Sequence, residues 1–138
     1  MATDFRDLRV WEEAMMLAEQ VYLLSRELPA DERFGLASQL KRAAVSVPSC
    51  IAEGNARRSR PDYVRFLAMP MGSLAEIRTQ ILLSVRLGLV RASAAESCLA
   101  THRTVTKLLQ ALINSLQPRS AQVAIPSSSP FPVPRSRS

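Results

Sequence analysis

The stretch Gln39-Leu40-Lys41-Arg42-Ala43-Ala44-Val45-Ser46-Val47-Pro48-Ser49-Cys50-Ile51-Ala52-Glu53-Gly54 decides how this chain folds. Leu40, Ala43, Val47 and Ile51 follow one another in steps of three and four, the spacing of a single helix face. Gln39, Arg42, Ser46, Ser49 and Glu53 keep the same rhythm and lay a polar stripe along another face. Pro48 sits in the middle, where it removes a backbone hydrogen bond and crowds the carbonyl of Ala44 at a cost of ~3 kcal/mol or more. Ala43, Ala44, Ser46, Ser49 and Ala52 are small enough to admit a second backbone at close range. The stretch reads as a bent, closely packed helix with no evident reaction chemistry. Arg42 and Glu53 lie about 16 Å apart along its axis, so each needs a partner on another helix or subunit. Glu53, beside Gly54, reads as a buried structural acid.

Three further helices are legible on either side. The first spans about Leu8 to Leu28 and carries two apolar stripes, one of Leu8, Trp11, Met15, Ala18 and Tyr22 and one of Val10, Ala14, Leu17, Val21, Leu24 and Leu28. A monomeric bundle needs one stripe, so the surplus marks a subunit contact, with Val10, Trp11, Leu17, Val21 and Tyr22 as its candidates. The second helix runs from Asp31 or Phe34 to Ala56. The third opens at Ser59, whose Ser-Arg-Pro-Asp sequence offers a cap and an early proline, and continues past Pro70, where a bend is expected, to Gly88. The fourth starts at Ser93, with Glu96 completing a capping box, and its apolar face is Cys98, His102, Val105, Leu109, Leu112 and Leu116. Short joining segments favour an all-α, antiparallel, up-down four-helix bundle with kinked second and third helices. Residues 1–117 form this one domain; residues 118–138, rich in Pro, Ser and Arg, lose the helical period and read as a disordered tail.

The net charge of +6 is unevenly placed. Residues 1–40 hold four Arg against eight acids, whereas residues 41–65 hold six Lys/Arg against two. Lys41, Arg42, Arg57, Arg58, Arg60 and Arg65 are therefore the candidate contacts for the phosphates of RNA or DNA. A solvated helix end, or pairing with an acidic first helix of a neighbouring copy, is the competing use of the same residues. Aromatic residues do not alternate with them along the sequence, which argues against base stacking. The lone histidine, His102, falls on an apolar stripe and reads as packed. Neither a Glu-x-x-His pair, a glycine-rich phosphate loop nor a nucleophile motif is present, so the expectation is a non-enzyme without cofactor or metal. No apolar run spans a membrane and no export signal is visible; Cys50 and Cys98 fit unpaired thiols in a reducing cytoplasm.

Phe34-Gly35-Leu36, Ser38 through Ser49 and Ile51-Ala52-Glu53-Gly54 resemble the 23S rRNA intervening-sequence protein family. Phe5-Arg6-Asp7-Leu8, Val10-Trp11, Arg58-Ser59, Phe66-Leu67 and Gly72-Ser73-Leu74-Ala75-Glu76 extend the likeness over roughly residues 5–115. Within that motif, Gln39, Arg42, Ser46, Pro48, Glu53 and Gly54 are its structural core. The resemblance implies a small antiparallel bundle assembling as a ring-shaped homopentamer. A distantly similar branch, the accessory proteins of diversity-generating retroelements, implies binding to a polymerase-type enzyme and to nucleic acid. Cys50 stands where members usually carry Asn, and Pro70 where they carry a residue other than proline. The reading is a homo-oligomeric scaffold or adaptor holding RNA or DNA non-specifically, with a pure protein–protein module as the alternative.

Overall fold

The computed structural model describes residues 4–117; the proline-rich tail lies outside them. Four α-helices and no strand occur among the described residues: α1 (Arg9–Ser25), α2 (Leu36–Asn55), α3 (Arg60–Arg86) and α4 (Ala92–Leu116). They form a four-helix bundle in which α1 packs on α2 and α4, and α3 on α2 and α4. Among the described residues, no helix is long and apolar enough to cross a membrane.

Both interior prolines are accommodated: α2 continues through Pro48 and α3 through Pro70. The flanking residues explain why. Val47 and Ile51 are fully buried beside Pro48, as are Leu67 and Leu74 beside Pro70. Each such side chain contributes ~1.5–3 kcal/mol on burial, so two of them offset the ~3 kcal/mol of one interior proline.

Partners on α2 and α3 run in opposite sequence order. Gln39 meets Gln80, whose Nε2 donates to the Gln39 Oε1 at 3.1 Å. Ser46 meets Ser73, hydroxyl to hydroxyl at 2.6 Å, with the Ala43 carbonyl 2.8 Å from the same Ser46 oxygen. At the far end, Gly54 brings the helices so close that a Cβ there would lie 3.0 Å from the Phe66 Cβ. The other junctions are equally specific. His102 of α4 bonds the Leu74 carbonyl of α3 at 2.7 Å, and Glu27 beyond α1 accepts from the Arg91 backbone N–H before α4 at 2.9 Å.

Three helix ends differ from the sequence reading. α1 stops at Ser25 rather than Leu28, because Arg26, Glu27 and Leu28 take tighter bonds to the carbonyls three residues back. α2 begins at Leu36, where the Glu32 carboxylate caps the Leu36 N–H at 3.1 Å; an acid four residues upstream takes over the start. α4 begins at Ala92 with Arg91 as its N-cap, and Glu96 pairs with Arg103 at 3.5 Å instead of closing a capping box at Ser93. By contrast, Ser59 caps α3 as read, accepting from the Asp62 N–H at 3.2 Å with Pro61 just inside.

The core runs the length of the bundle, through Leu17, Leu40, Ile51, Tyr63, Leu67, Ile77, Ile81 and Leu109. Val10, Leu17 and Val21 belong to it, at 4%, 0% and 0% exposure. Their burial against their own chain corrects the reading of these three as subunit contacts. One stripe of α1 feeds the core. The other lies at its edge: Leu8, Trp11 and Ala18 pack against the core part-buried, and Tyr22 is exposed.

Candidate nucleic-acid interface

The turn between α2 and α3 is four residues long, Ala56 to Ser59, and gathers most of the basic cluster at one end of the bundle. Local bonding makes it rigid. Arg57 donates its backbone N–H to the Gly54 carbonyl at 3.0 Å and its Nε to the Glu53 carbonyl at 3.1 Å. On the α3 side, the Tyr63 hydroxyl reaches the Asn55 side-chain oxygen at 3.3 Å, and the Tyr63 N–H donates to the Ser59 carbonyl at 3.0 Å. Arg57 therefore occupies the carbonyl end of α2, where a cation is stabilised by the helix dipole.

Phe66 completes the arrangement. The Arg57 guanidinium carbon lies 4.3 Å from its ring centroid and that of Arg65 lies 5.0 Å from it, so two cations share one aromatic ring. Arg65 is also loosely paired with Asp62 at 3.4 Å, in solvent. Arg58 on the turn and Arg60 at the start of α3 are exposed. The expectation that no aromatic residue accompanies the cluster is thus corrected. Phe66 lies nine positions beyond Arg57, and only the closure of the α2–α3 turn brings the two together.

The six basic candidates divide into two groups. Arg57, Arg58, Arg60 and Arg65 stand at the turn, while Lys41 and Arg42 sit about 20 Å away along α2. Lys41 is half-buried, with its ammonium 5.3 Å from the Tyr22 ring of α1; Arg42 is exposed. Glu53 is exposed as well, which corrects its reading as a buried acid: its side chain faces outward, and its backbone carbonyl serves Arg57. Gln39 and Ser46 of the polar stripe face α3, as their bonds to Gln80 and Ser73 show.

The chain's potentially reactive groups are committed to packing. His102 is buried, and because a carbonyl only accepts, its Nε2 carries the proton donated to Leu74. Burial, reinforced by Arg78 and Arg103, lowers its pKa below the ordinary 6.5, while the Leu74 bond opposes the shift. Burial also raises the Cys98 thiol to about 11 and pushes Cys50 upward, so neither is an activated nucleophile at neutral pH. Among the described residues no group of three or more His, Cys, Asp or Glu is placed to hold a metal ion.

A second surface feature is a groove of about 850 Å³ between α1 and α2, lined by Trp11, Met15, Tyr22, Val45, Pro48 and Ala52 among others. Tyr22 and Val45 are 43% and 44% exposed there. Glu19 and Arg26 supply its charged members.

These features define a small four-helix-bundle protein with one basic end and one apolar flank. The chain belongs to the 23S rRNA-intervening sequence protein family, whose model matches residues 6–111. Among solved structures it is similar to a protein of unknown function from the S23 ribosomal protein family of Bacteroides thetaiotaomicron. The two are 22% identical with a TM-score of 0.70, over 75% of this chain and 97% of that one; at this identity the likeness shows the fold. Among curated proteins, none matches.

Proposed function

We propose that this protein is a non-catalytic, homo-oligomeric scaffold or adaptor of the cytoplasm that holds RNA or DNA through phosphate contacts at the α2–α3 turn. The observation that carries the reading is the gathering of Arg57, Arg58, Arg60 and Arg65 at one end of the bundle. An antiparallel up-down bundle with bends at Pro48 and Pro70 is the matching architecture, supported by the opposed order of the 39–80 and 46–73 pairs. The apolar groove supports self-association, with Trp11 and Tyr22 seated against a second copy. A ring of five is the assembly that the family resemblance implies. Repeating a weak basic site around such a ring multiplies its affinity by avidity. The groove also favours a second reading, a module whose partner is another protein.

Titrating wild type and the Arg57/Arg58/Arg60→Ala variant with a generic RNA at rising salt tests the proposal. Wild type retains RNA at low salt, and the plot of log affinity against log salt is shallower in the variant by about two to three, near one for each phosphate that an arginine no longer neutralises. Failure of the wild type to retain RNA or DNA at any salt concentration refutes nucleic-acid binding.

A further inference from the structure

The shared ring suggests what kind of nucleic acid the turn accepts. Phe66 is half-buried against the Gly54 end of α2, so little of it is left for a ligand to cover. Its effect passes through the guanidinium groups it carries. A guanidinium over an aromatic ring has one face fixed on that ring, while its N–H edge and outer face stay free. Arg57 is held a third way, by its Nε bond to the Glu53 carbonyl, which leaves its terminal nitrogens to donate elsewhere. The Arg65 side chain is 63% exposed. The two guanidinium carbons lie less than about 10 Å apart, with Arg58 on the adjoining turn and Arg60 at the start of α3 to meet phosphates.

We propose that this stack is a platform for an unpaired nucleotide, its base lying on the outer face of the Arg65 guanidinium and its phosphates held by Arg57, Arg58 and Arg60. The inference rests on the nucleic-acid reading above and narrows it to single strands. Bases in a duplex are already stacked on one another and present no face to such a platform; splayed bases of a single strand do, and guanidinium planes are among the surfaces that receive them. Phe66 acts as a positioning residue that holds the two planes, and it is not itself the contact. Sequence preference is not expected, because every base has a stackable face.

The test compares affinity for a short RNA strand, its DNA counterpart, the duplex of each and inorganic polyphosphate at equal phosphate concentration. Wild type favours both strands over the duplexes and polyphosphate by about tenfold, the scale of one stacked base. Phe66→Leu and Arg65→Lys each remove most of that preference, lowering affinity for the strands more than affinity for the duplexes or polyphosphate. Arg65→Lys keeps the charge, loses the plane and alters only an exposed position, so it decides the matter if Phe66→Leu impairs folding. Equal wild-type affinity for strand, duplex and polyphosphate overturns the platform and leaves the phosphate-binding reading standing. A strand preference that survives Arg65→Lys also overturns it. Binding to none of these polyanions removes both readings.

Discussion

Gly54 and Gly72 show how differently one added methyl acts at two places in the same bundle. At Gly54 a Cβ would stand 3.0 Å from the Phe66 Cβ and 3.2 Å from a ring carbon of Tyr63, neither of them the loose end of a flexible chain. At Gly72, exposed on α3, it would meet nothing within 4 Å. Alanine is the better helix former at both positions by about 0.8–1 kcal/mol. Overpacking costs ~1–3 kcal/mol and outweighs that gain only at Gly54. Thermal unfolding should therefore show Gly54→Ala with a lowered Tm and Gly72→Ala with a raised one. Residue roles of this kind were partly legible in sequence. Small residues in the Pro48 segment announced close packing, and His102 on its stripe announced a packed ring. Phe66 follows Arg65 in sequence, but its tie to Arg57 exists only across the turn and leaves no local mark. Glu53 misled for the opposite reason: its place beside a buried glycine suggested burial, yet adjacent helix positions point about 100° apart.

At the scale of elements, the bond from His102 to the Leu74 carbonyl joins α4 to α3 and makes that joint sensitive to acid. The folded-state pKa lies below the ordinary 6.5, chiefly through burial and secondarily through Arg78 and Arg103. Unfolded chain therefore binds a proton at a pH where folded chain does not. Stability is fully present above pH 6.5 and falls as the pH drops below it, by at most about 1.4 kcal/mol per pH unit for one proton. Denaturant midpoints followed from pH 7 to about pH 5 should decline in wild type and stay nearly flat in His102→Gln, which cannot take up that proton. An equal decline in both proteins would assign the sensitivity to other groups. The helices themselves were readable from their three- and four-residue apolar steps, which survive any local detail of their ends. The ends were harder. α4 draws its cap from Glu27, and Glu96, which fits a capping box by spacing, spends its charge on Arg103. Sequence spacing records which cap is within reach along the chain, but a cap arriving from another helix leaves no local mark.

Taken as a whole, the molecule has a basic end and an apolar flank on different parts of its surface, and the proposed self-association rests on the flank. Trp11, Met15, Tyr22 and Val45 border a groove on the surface, Trp11 with one side against the core and Tyr22 and Val45 exposed. Tyr22→Glu should therefore convert an oligomer into monomers in sedimentation velocity at micromolar concentration while helical content is retained. A wild type that is already monomeric there would refute the assembly. The doubled apolar pattern of α1 told of this flank from the sequence, although which stripe was the outer one emerged only when Val10, Leu17 and Val21 were found inside. The Glu27–Arg91 link carries a different lesson. Arg91 has no side-chain acceptor with which to begin α4, and a carboxylate 64 residues earlier supplies one to its backbone while also gripping its guanidinium at 3.1 and 2.8 Å. The last helix of the bundle is thus started by the segment that closes the first. A change at Glu27 is therefore felt at the start of α4, 64 residues further along the chain.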